Sequence, residues 1–510
     1  MKRLLVAAVL LSPAPLAAQS TTYEQLQTFS GVLSQIRANY VDSVETALLV
    51  RAAITGMLKS LDPHSYYVSR SDFEVRQAWD DGRLAVTGLL LEDGEEAPIV
   101  VAVQPASPAQ QAGIMPGDRV LQVDNVATTG KGARTVELQL LGEKGSKVQL
   151  MLERGPRIEP DTLSLTLKRN VVEHQVVPPP HMVNKTVGYV RLEQFTVAGV
   201  PKFESAVKQL RGDGAQVLII DLRGNPGGNV AALIEIVAMF LPAKSDVMHA
   251  QGRKKTGLET VTTKDDGEFR NMPLIVLVDE GSASASEMLA GALQDHDRAL
   301  IVGRRSFGKA LVQMALPLPN GDVVWLTTAR IASPSGRVIQ RSYTGVEAER
   351  YRELAGKPVV GTDTLLLYHT DAGRPVRGGG GITPDVVREA PPLPVWFTAA
   401  ADTGLVLAVA DSVAETLPNT PAARDAWMSA PARWDSLLVT PFLARVRSTL
   451  GVRAEPDLAV RQRLGRILAD RVAEVRWGSE AGAAFAIAND PDIALAVEQV
   501  PKLQQLLHTP

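Results

Sequence analysis

The chain has 510 residues, with 53 Lys and Arg against 56 Asp and Glu, and it contains no cysteine. The net charge is −3, so the chain lacks the excess of basic residues that is typical of a nucleic-acid-binding protein. The absence of thiols excludes disulfides, zinc–thiolate sites, iron–sulfur clusters and a cysteine nucleophile. With 45% hydrophobic and 21% charged residues, the composition is that of a globular protein. At about 150 residues per domain, the length predicts three to four domains.

Residues 1–18 are predicted to be a secretory signal. Residues 1–3 (Met-Lys-Arg) are basic, Leu4 to Leu11 is a short apolar run, and the small residues Ala17 and Ala18 follow. This order is typical of a cleaved signal, and the run is too short to span a bilayer. No later segment is both long and apolar enough to do so. We therefore expect an exported, periplasmic protein without a transmembrane anchor.

Two regions precede residue 169. In residues 19–78, apolar residues at helical spacing predict two helices, the second ending before Asp62-Pro63. Residues 79–168 alternate short β-type runs, among them Leu84 to Leu91 and Arg119 to Val123, with turn signals, and two helical pieces fit Pro108 to Ala112 and Ala133 to Leu141. The second region is therefore predicted to be a small β-rich domain with two helices.

Residues 169–390 alternate apolar strand-like runs with helical segments. The runs Gln216 to Leu222 and Leu274 to Val278 are almost wholly apolar, as strands buried on both faces are. Such alternation predicts an α/β domain with crossover connections. Residues 391–510 are Ala-rich at helical spacing. We expect a helical region there that serves packing or oligomer contacts.

Residues 279–287 read Asp-Glu-Gly-Ser-Ala-Ser-Ala-Ser-Glu and link a predicted strand to a predicted helix. Nucleophiles and ligands in α/β sheets favour this carboxyl end of a strand. A serine at the helix N-terminus gains exposed N–H groups and the positive end of the helix dipole, which stabilise an oxyanion. A structural alternative remains, because Ser284-x-x-Glu287 also fits a capping box.

A second candidate is Lys309, in the turn Ser306 to Gln313. Burial disfavours the ammonium form, and a neutral lysine amine can take the proton of a serine hydroxyl. The pKa would have to fall by roughly 3 units from ~10.4 for this role near neutral pH. The alternative is an ordinary surface lysine in a turn.

The third candidate is the glycine turn, residues 223–229 (Arg-Gly-Asn-Pro-Gly-Gly-Asn), after a buried strand. Its backbone N–H groups suit an oxyanion hole or a phosphate. Neither G-x-G-x-x-G nor G-x-x-x-x-G-K-[ST] is present, so a nucleotide site is disfavoured. A tight strand–helix turn is the structural alternative.

Two other chemistries are disfavoured. A Ser-His-Asp hydrolase would need a G-x-S-x-G elbow, which the sequence lacks. His296 lies on the order of 18 Å along the predicted helix from Ser284. The seven histidines form no close ligand pair, so a dedicated metal site is not expected.

Taken together, the motifs resemble those of the carboxyl-terminal processing proteases, serine peptidases with a Ser–Lys dyad and an inserted PDZ domain. The resemblance runs in order over roughly residues 30–390. It rests on six motifs: Leu61-Asp62-Pro63-His64-Ser65, the PDZ-like stretch Ser107 to Leu121, Asp221-Leu222-Arg223-Gly224-Asn225-Pro226-Gly227-Gly228, Gly281 to Glu287, Phe307-Gly308-Lys309 with Gln313, and Gly381-Ile382-Thr383-Pro384-Asp385.

The resemblance implies a multidomain α/β fold with a crotonase/ClpP-like core, to which residues 19–78 and 169–390 contribute, and a PDZ domain at 79–168. It assigns Ser284 as nucleophile, Lys309 as general base and Gln313 as the residue that orients the lysine. The oxyanion hole is then the backbone N–H of Ala285 with Gly227 or Gly228.

PDZ domains hold a peptide's terminal carboxylate with the backbone N–H groups of a Gly-Φ-Gly-Φ loop. The corresponding loop here, Thr87, Gly88, Leu89 and Leu90, has one glycine. The backbone donors survive such a change, whereas the shape of the loop need not.

The function that the resemblance implies is an exported serine endopeptidase that cuts unstructured or carboxyl-terminal segments of proteins. Its partners would be peptide tails, an adaptor protein and a second copy of the chain, with no nucleic acid. The main alternative is a catalytically inactive PDZ scaffold that binds peptides in the cell envelope. An acyl-coenzyme-A enzyme of crotonase-like fold fits poorly with a PDZ module and an export signal.

Overall fold

Six of the described strands form a central sheet in which all but one edge strand run parallel. Three of its inner strands, Val217–Asp221, Leu274–Val278 and Ala299–Gly303, are completely buried, as expected when helices cover both faces of a parallel sheet. This arrangement confirms the predicted α/β class. In spatial order the strands are His181–Met182, Val187–Arg191, Val217–Asp221, Leu274–Val278, Ala299–Gly303 and Val386–Val387.

Different helices cover the two faces of this sheet. Alternate residues of one strand divide between them: Leu218 and Ile220 face one layer, while Val217 and Ile219 face the other. The first layer consists of Gly199–Gly212, Val230–Ala238 and Ala285–Asp295. The second contains the last two described helices, Pro491–Glu498 and Val500–Leu507.

Part of the helical C-terminal region thus completes the core of the α/β domain. Ile493, Ala496 and Leu503 are buried against the second face of the sheet. Full burial of a large aliphatic side chain contributes roughly 1.5–3 kcal/mol, so this contact is a substantial stabilising term. The last two helices of the region therefore pack against the sheet.

An antiparallel sheet of five described strands was not predicted. Its long strand Val323–Ala332 is mostly half-buried and shows no clean alternation of apolar and polar residues, so its sequence gives little strand signal. The other members are Tyr66–Val68, Asp246–Gly252, Glu259–Thr262 and Leu311–Pro317. Through Tyr66–Val68, the N-terminal region becomes part of the core domain.

The β-rich module folds separately around its own apolar core. Its sheet runs in the order Leu89–Glu92, Ile99–Val103, Arg119–Val123, Lys147–Arg154 and Asp161–Lys168, with Val126–Ala127 beside Arg119–Val123 and a further pair Leu84–Ala85 and Gly142–Glu143. Its helices are Pro108–Gln111 and Ala133–Leu140. The expected run Leu84 to Leu91 is interrupted at Thr87-Gly88.

The remaining elements lie at the two ends of the chain and in a hairpin. N-terminal helices span Ala17–Asn39 and Thr46–Lys59, and the hairpin pairs Leu367–His369 with Pro375–Arg377. The C-terminal helical bundle has its own core. Its segments are Val395–Asp402, Leu405–Ala414, Pro421–Met428, a 3-10 turn Pro431–Arg433, a π-helical turn Asp435–Val439, Thr440–Leu450, Leu458–Trp477 and Ser479–Ala488.

The computed structural model describes residues 17–74, 84–92, 96–103, 107–115, 117–154, 161–170, 176–253, 259–344 and 366–507, with 346, 350, 351, 354 and 357. Most of the expected signal, residues 1–16, lies outside them. Over these ranges no single helix has the length and apolarity to cross a membrane. Two consecutive helical segments, Val395–Ala401 and Leu405–Ala414, meet that test only when taken together, and the chain bends by 64° between them.

Candidate active site

Ser284 lies directly before the helix Ala285–Asp295, on the segment that follows the strand Leu274–Val278. Its backbone has φ 56° and ψ −113°, a conformation that few residues other than glycine adopt. Such strain costs on the order of 1–3 kcal/mol and persists only where the surroundings impose it. The structure therefore holds this serine in a fixed, strained turn at a helix N-terminus.

The glycine turn touches that serine. A Cβ atom added to Gly227, whose φ is +98°, would lie 2.7 Å from the Ala283 carbonyl oxygen and 2.9 Å from Ser284 Cβ. A Cβ on Gly228 would lie 2.2 Å from the Phe195 carbonyl oxygen. Only glycine permits this approach, because both positions also have positive φ.

One of the expected oxyanion donors is already engaged. The Gly227 N–H donates to Asn225 Oδ1 at 2.8 Å. Asn225 is fully buried and donates in turn to the Leu192 carbonyl at 2.8 Å, which fixes the orientation of its amide. The Gly227 N–H thus stabilises the turn itself.

Lys309 and Gln313 are in direct contact. Lys309 Nζ donates to Gln313 Oε1 at 3.0 Å, and Gln313 Nε2 donates to the carbonyl oxygen of His64. The Asp62 carboxylate holds the turn before the first strand by accepting from the N–H groups of His64 and Ser65, at 2.8 and 2.7 Å. The N-terminal motif therefore supports the glutamine, a role that its sequence did not reveal.

Glu287 is the residue that connects the serine and the lysine. Its carboxylate accepts from the Ser284 N–H at 2.9 Å and from the Lys309 N–H at 2.8 Å, both at Oε2. Sequence reasoning treated Glu287 only as half of a capping box. The one signal available was an acidic residue in an otherwise small and apolar helix start.

The last motif of the resemblance braces the turn that carries Lys309. Ser306 and Ile382 exchange two hydrogen bonds: Ser306 N–H donates to the Ile382 carbonyl at 3.1 Å, and Ile382 N–H donates to Ser306 Oγ at 2.6 Å. Asp385 accepts from the N–H of Ile301 at 2.8 Å. This motif therefore joins the lysine turn to the central sheet.

The expected peptide-binding loop leads into an edge strand of the β-rich module: Thr87 and Gly88 precede the strand Leu89–Glu92, and Leu89 and Leu90 are its first residues. Thr87 and Leu89 are buried, and Leu90 is exposed. Gly88 has φ +87°, and a Cβ there would lie 2.1 Å from Ser107 Cβ, so this single glycine is required. The loop is thus packed against the start of helix Pro108–Gln111.

Among the described residues no group of three or more His, Asp or Glu side chains is placed to hold a metal ion. The Glu287 carboxylate joins the Ser284 turn to the Lys309 turn through backbone N–H donors, and the Gln313 amide lies against the Lys309 amine. Such a set can carry out acyl transfer through a serine hydroxyl, with backbone donors for an oxyanion.

The sequence matches three family descriptions. Residues 186–351 match peptidase family S41, residues 99–154 match a PDZ domain, and residues 12–71 match the N-terminal domain of the activating protease CtpB. Together these matches include the serine, the lysine, the glycine turn and the Asp62 turn.

Similar proteins come from several bacteria. The carboxy-terminal-processing protease of Bartonella bacilliformis is 34% identical over 328 residues, which cover 63% of this chain and 74% of that protein. Protease CtpB of Bacillus subtilis is 31% identical, and the match covers 66% of this chain and 69% of that protein. Among solved structures, the photosystem II D1 C-terminal processing protease is 26% identical over 74% of this chain and 96% of that one, with a TM-score of 0.39.

Proposed function

Because the chain belongs to the carboxy-terminal processing proteases, serine peptidases of family S41, we propose that it is an exported endopeptidase cleaving unstructured or carboxyl-terminal segments of proteins through Ser284 and Lys309. One observation carries the proposal. The backbone N–H groups of Ser284 and Lys309 bond the same carboxylate oxygen of Glu287, which brings two turns of distant sequence to one place.

The chemistry is acyl transfer. Ser284 Oγ attacks the peptide carbonyl carbon while the neutral Lys309 amine takes the hydroxyl proton. The protonated lysine then gives this proton to the leaving amine as the peptide C–N bond breaks. Water hydrolyses the resulting ester with Lys309 again accepting a proton. Gln313 suits this role, because a neutral amide orients the amine without stabilising its charged form as a carboxylate would.

The oxyanion of the tetrahedral intermediate would be held by the backbone N–H groups of Ala285 and Gly228. Ala285 is the first residue of the helix, where N–H groups lack intrahelical acceptors. Gly228 is assigned in preference to Gly227, whose N–H donates to Asn225. Two such donors at a helix N-terminus favour developing negative charge.

Substrate tails would be recruited by the PDZ domain. Its strand Leu89–Glu92 is at the edge of the sheet, where an extended peptide can add as a further strand. The loop Thr87–Leu90 would take the terminal carboxylate with its backbone donors. Nonpolar residues near the cut are expected from the family resemblance, and no cofactor enters the mechanism.

Self-association is proposed through the N-terminal helix. Leu26, Phe29 and Val32 are exposed along Ala17–Asn39, with Leu33 and Ile36 half-buried. Apolar residues at this spacing form a stripe that a second helix would cover. We assign a second copy of the chain as the occupant, and an adaptor protein remains a further partner of the proposal.

Digestion of casein by residues 19–510 tests the function, with Ser284→Ala and Lys309→Ala in parallel. We expect the parent to cut and both folded variants to be inactive. Cutting by Ser284→Ala would show that the nucleophile is another residue. If none of the three cuts while all bind peptide tails, the inactive scaffold is the correct reading.

A further inference from the structure

We propose that Glu287 is a positioning residue of this active site, whose ionised carboxylate holds the turn of Ser284 and the turn of Lys309 in the relative position that catalysis needs. The inference rests on the proposed Ser284–Lys309 chemistry. It adds a third residue that touches neither substrate nor reacting atoms and yet sets the distance between the two that do.

Both oxygens of this carboxylate are fully used. Oε1 accepts from Ser306 Oγ at 2.5 Å and from the Gly308 N–H at 2.7 Å, while Oε2 accepts from the N–H groups of Ser284 and Lys309. A carboxylate offers about four lone-pair sites, so every site has a donor. Only an ionised carboxyl group can accept all four bonds.

The contacts exceed what a helix cap requires. Of the bonds that the glutamate carboxylate accepts, a capping box needs only the one from the Ser284 N–H. The three other donors lie on residues 306–309, on a segment that leaves a different strand of the sheet. Glu287 therefore links two separate turns across the site instead of only ending its own helix.

Burial makes this link sensitive to pH. Glu287 is fully buried, and burial raises its pKa to about 7, against the opposing effect of its hydrogen bonds from Ser306, Lys309, Gly308 and Ser284. Protonation would place a hydrogen on an oxygen that accepts from backbone N–H groups, which can only donate, or from the Ser306 hydroxyl, which can also accept. Either an N–H bond then breaks or the Ser306 bond reverses its direction, and the hold on the two turns weakens.

Of the charged and titratable groups that face Glu287, Arg341 favours its ionised form. Lys309 lies on the lysine turn, and the Arg341 guanidinium and Tyr351 hydroxyl interact electrostatically with Glu287 from the following segment. Arg341 donates to the Phe307 carbonyl at 3.2 Å, and Tyr351 donates to the Gly308 carbonyl at 3.2 Å. The positive charge of Arg341 stabilises the anion, whereas Tyr351 stays neutral because burial raises its pKa.

The same helix supplies a matched control. Asp295, at its other end, is also buried, and its carboxylate pairs with Arg337 at 2.7 Å and accepts from the Ser335 N–H at 3.0 Å. These contacts join structural segments and reach neither turn of the site. Asp295→Asn thus removes a buried carboxylate of similar structural importance away from the chemistry.

The experiment measures kcat and KM of residues 19–510 on a quenched fluorogenic peptide taken from β-casein, for the parent, Glu287→Gln and Asp295→Asn. An amide can accept at one oxygen only, and its NH2 group would face two donors. We expect Glu287→Gln to lower kcat about 100-fold with KM within about threefold, since misplacement of reacting groups by ~1 Å costs that much. Asp295→Asn should lower the melting temperature while kcat stays within about threefold of the parent.

The pH profile provides the readout that a purely structural role would not change. Ser306→Ala removes a donor that favours the ionised carboxylate, so the acidic limb of kcat should move to higher pH by about one unit. If Glu287→Gln does not fold, the shift of the acidic limb in Ser306→Ala alone tests the positioning role of Glu287. A kcat for folded Glu287→Gln within threefold of the parent, or an unmoved limb in Ser306→Ala, would overturn the inference. Cleavage by Ser284→Ala would instead overturn the proposed function.

Discussion

The Arg223 guanidinium donates to Asp492 at 2.9 Å and thereby joins the glycine turn of the active site to the first turn of the helix Pro491–Glu498. Asp490 and Asp221 also pair with this guanidinium, at 2.8 Å and 2.6 Å respectively. The C-terminal segment lies outside the region that matches the peptidase family, yet it holds the start of the turn that carries Gly227 and Gly228.

Asp492→Asn should destabilise the protein and lower activity with it. Asp492 is buried and also accepts from Arg304 at 3.1 Å and Arg388 at 2.8 Å, so its loss removes a carboxylate that three guanidinium groups share. We expect the free energy of unfolding to fall by about 3 kcal/mol in urea titrations at pH 7. Asp435→Asn, which breaks the more exposed pair with Arg461, should cost less than about 1 kcal/mol.

The same variant has a pH signature. Burial opposes ionisation of Asp492, but Arg223, Arg304 and Arg388 outweigh it and hold its pKa below the ordinary value of 3.8. A carboxylate with a depressed pKa contributes stability above its unfolded pKa and loses that contribution as pH falls below it. The stability gap between the parent and Asp492→Asn should thus narrow below about pH 4. A constant gap from pH 7 to pH 3 would contradict this.

Gln313→Glu should shift the pH optimum of cleavage upward. A carboxylate in place of the amide that accepts from Lys309 Nζ would stabilise the ammonium and raise the pKa of the lysine. It would also lose the bond to the His64 carbonyl. We expect kcat at pH 7 to fall by about tenfold or more and to recover partly at pH 9. Gln313→Ala is the control, with lower kcat but no upward shift; equal profiles for both variants would argue against this role.

Gly227→Ala should abolish cleavage. The new Cβ would meet the Ala283 carbonyl oxygen at 2.7 Å and the Ala285 nitrogen at 2.9 Å, so the serine turn would have to move. Gly224→Ala lies on the same turn at φ +70°, but its Cβ would come no nearer than 3.9 Å to Arg191. In Gly224→Ala the only cost is the strain of a non-glycine residue at positive φ, which destabilises the protein by about 1 kcal/mol, so this control should retain activity. Similar losses in both variants would show that strain, and not the clash, is responsible.

Glu137→Ala should strengthen peptide binding by the PDZ domain. Glu137 Oε1 accepts from the Leu91 N–H at 3.2 Å, on the edge of the strand where a peptide would pair. A bound peptide has to replace this contact with its own carbonyl. Fluorescence anisotropy with a labelled peptide that ends in apolar residues should show severalfold tighter binding, on the order of 1 kcal/mol. The same peptide with an amidated terminus is the control. An affinity of Glu137→Ala equal to that of the parent would mean that the peptide does not pair with the strand Leu89–Glu92.

Leu26→Glu with Phe29→Glu should make the protein monomeric. Both side chains are exposed on Ala17–Asn39, at 60% and 45%, and charges there would have to be desolvated in any helix–helix contact. Analytical ultracentrifugation should show the parent as a dimer and the double variant as a monomer. Gln27→Glu, away from the apolar stripe, should leave the mass unchanged. A monomeric parent would refute the assignment.

Local signals were enough to predict much of the core. A continuous apolar run predicted the strand Leu274–Val278, and a β-type run between turn residues predicted the strand Arg119–Val123. Both strands have the predicted bounds. The family was also identifiable, because six motifs occur in the right order, and its membership is confirmed. The assignments of Ser284, Lys309 and Gln313 remain predictions that the geometry supports and that experiment must decide.

What the sequence by itself determined are features set by neighbouring residues: the α/β alternation, the glycine turn and the serine at the start of a helix. Only the tertiary structure decided that Glu287 receives donors from residues 306–309, that Asn225 engages the Gly227 N–H, and that Pro491–Glu498 covers the sheet and binds Arg223. The physical reason is that such contacts join positions far apart in the chain. A hydrogen bond or ion pair of this kind leaves no periodicity in the sequence, because its geometry exists only after the sheet has brought both partners together.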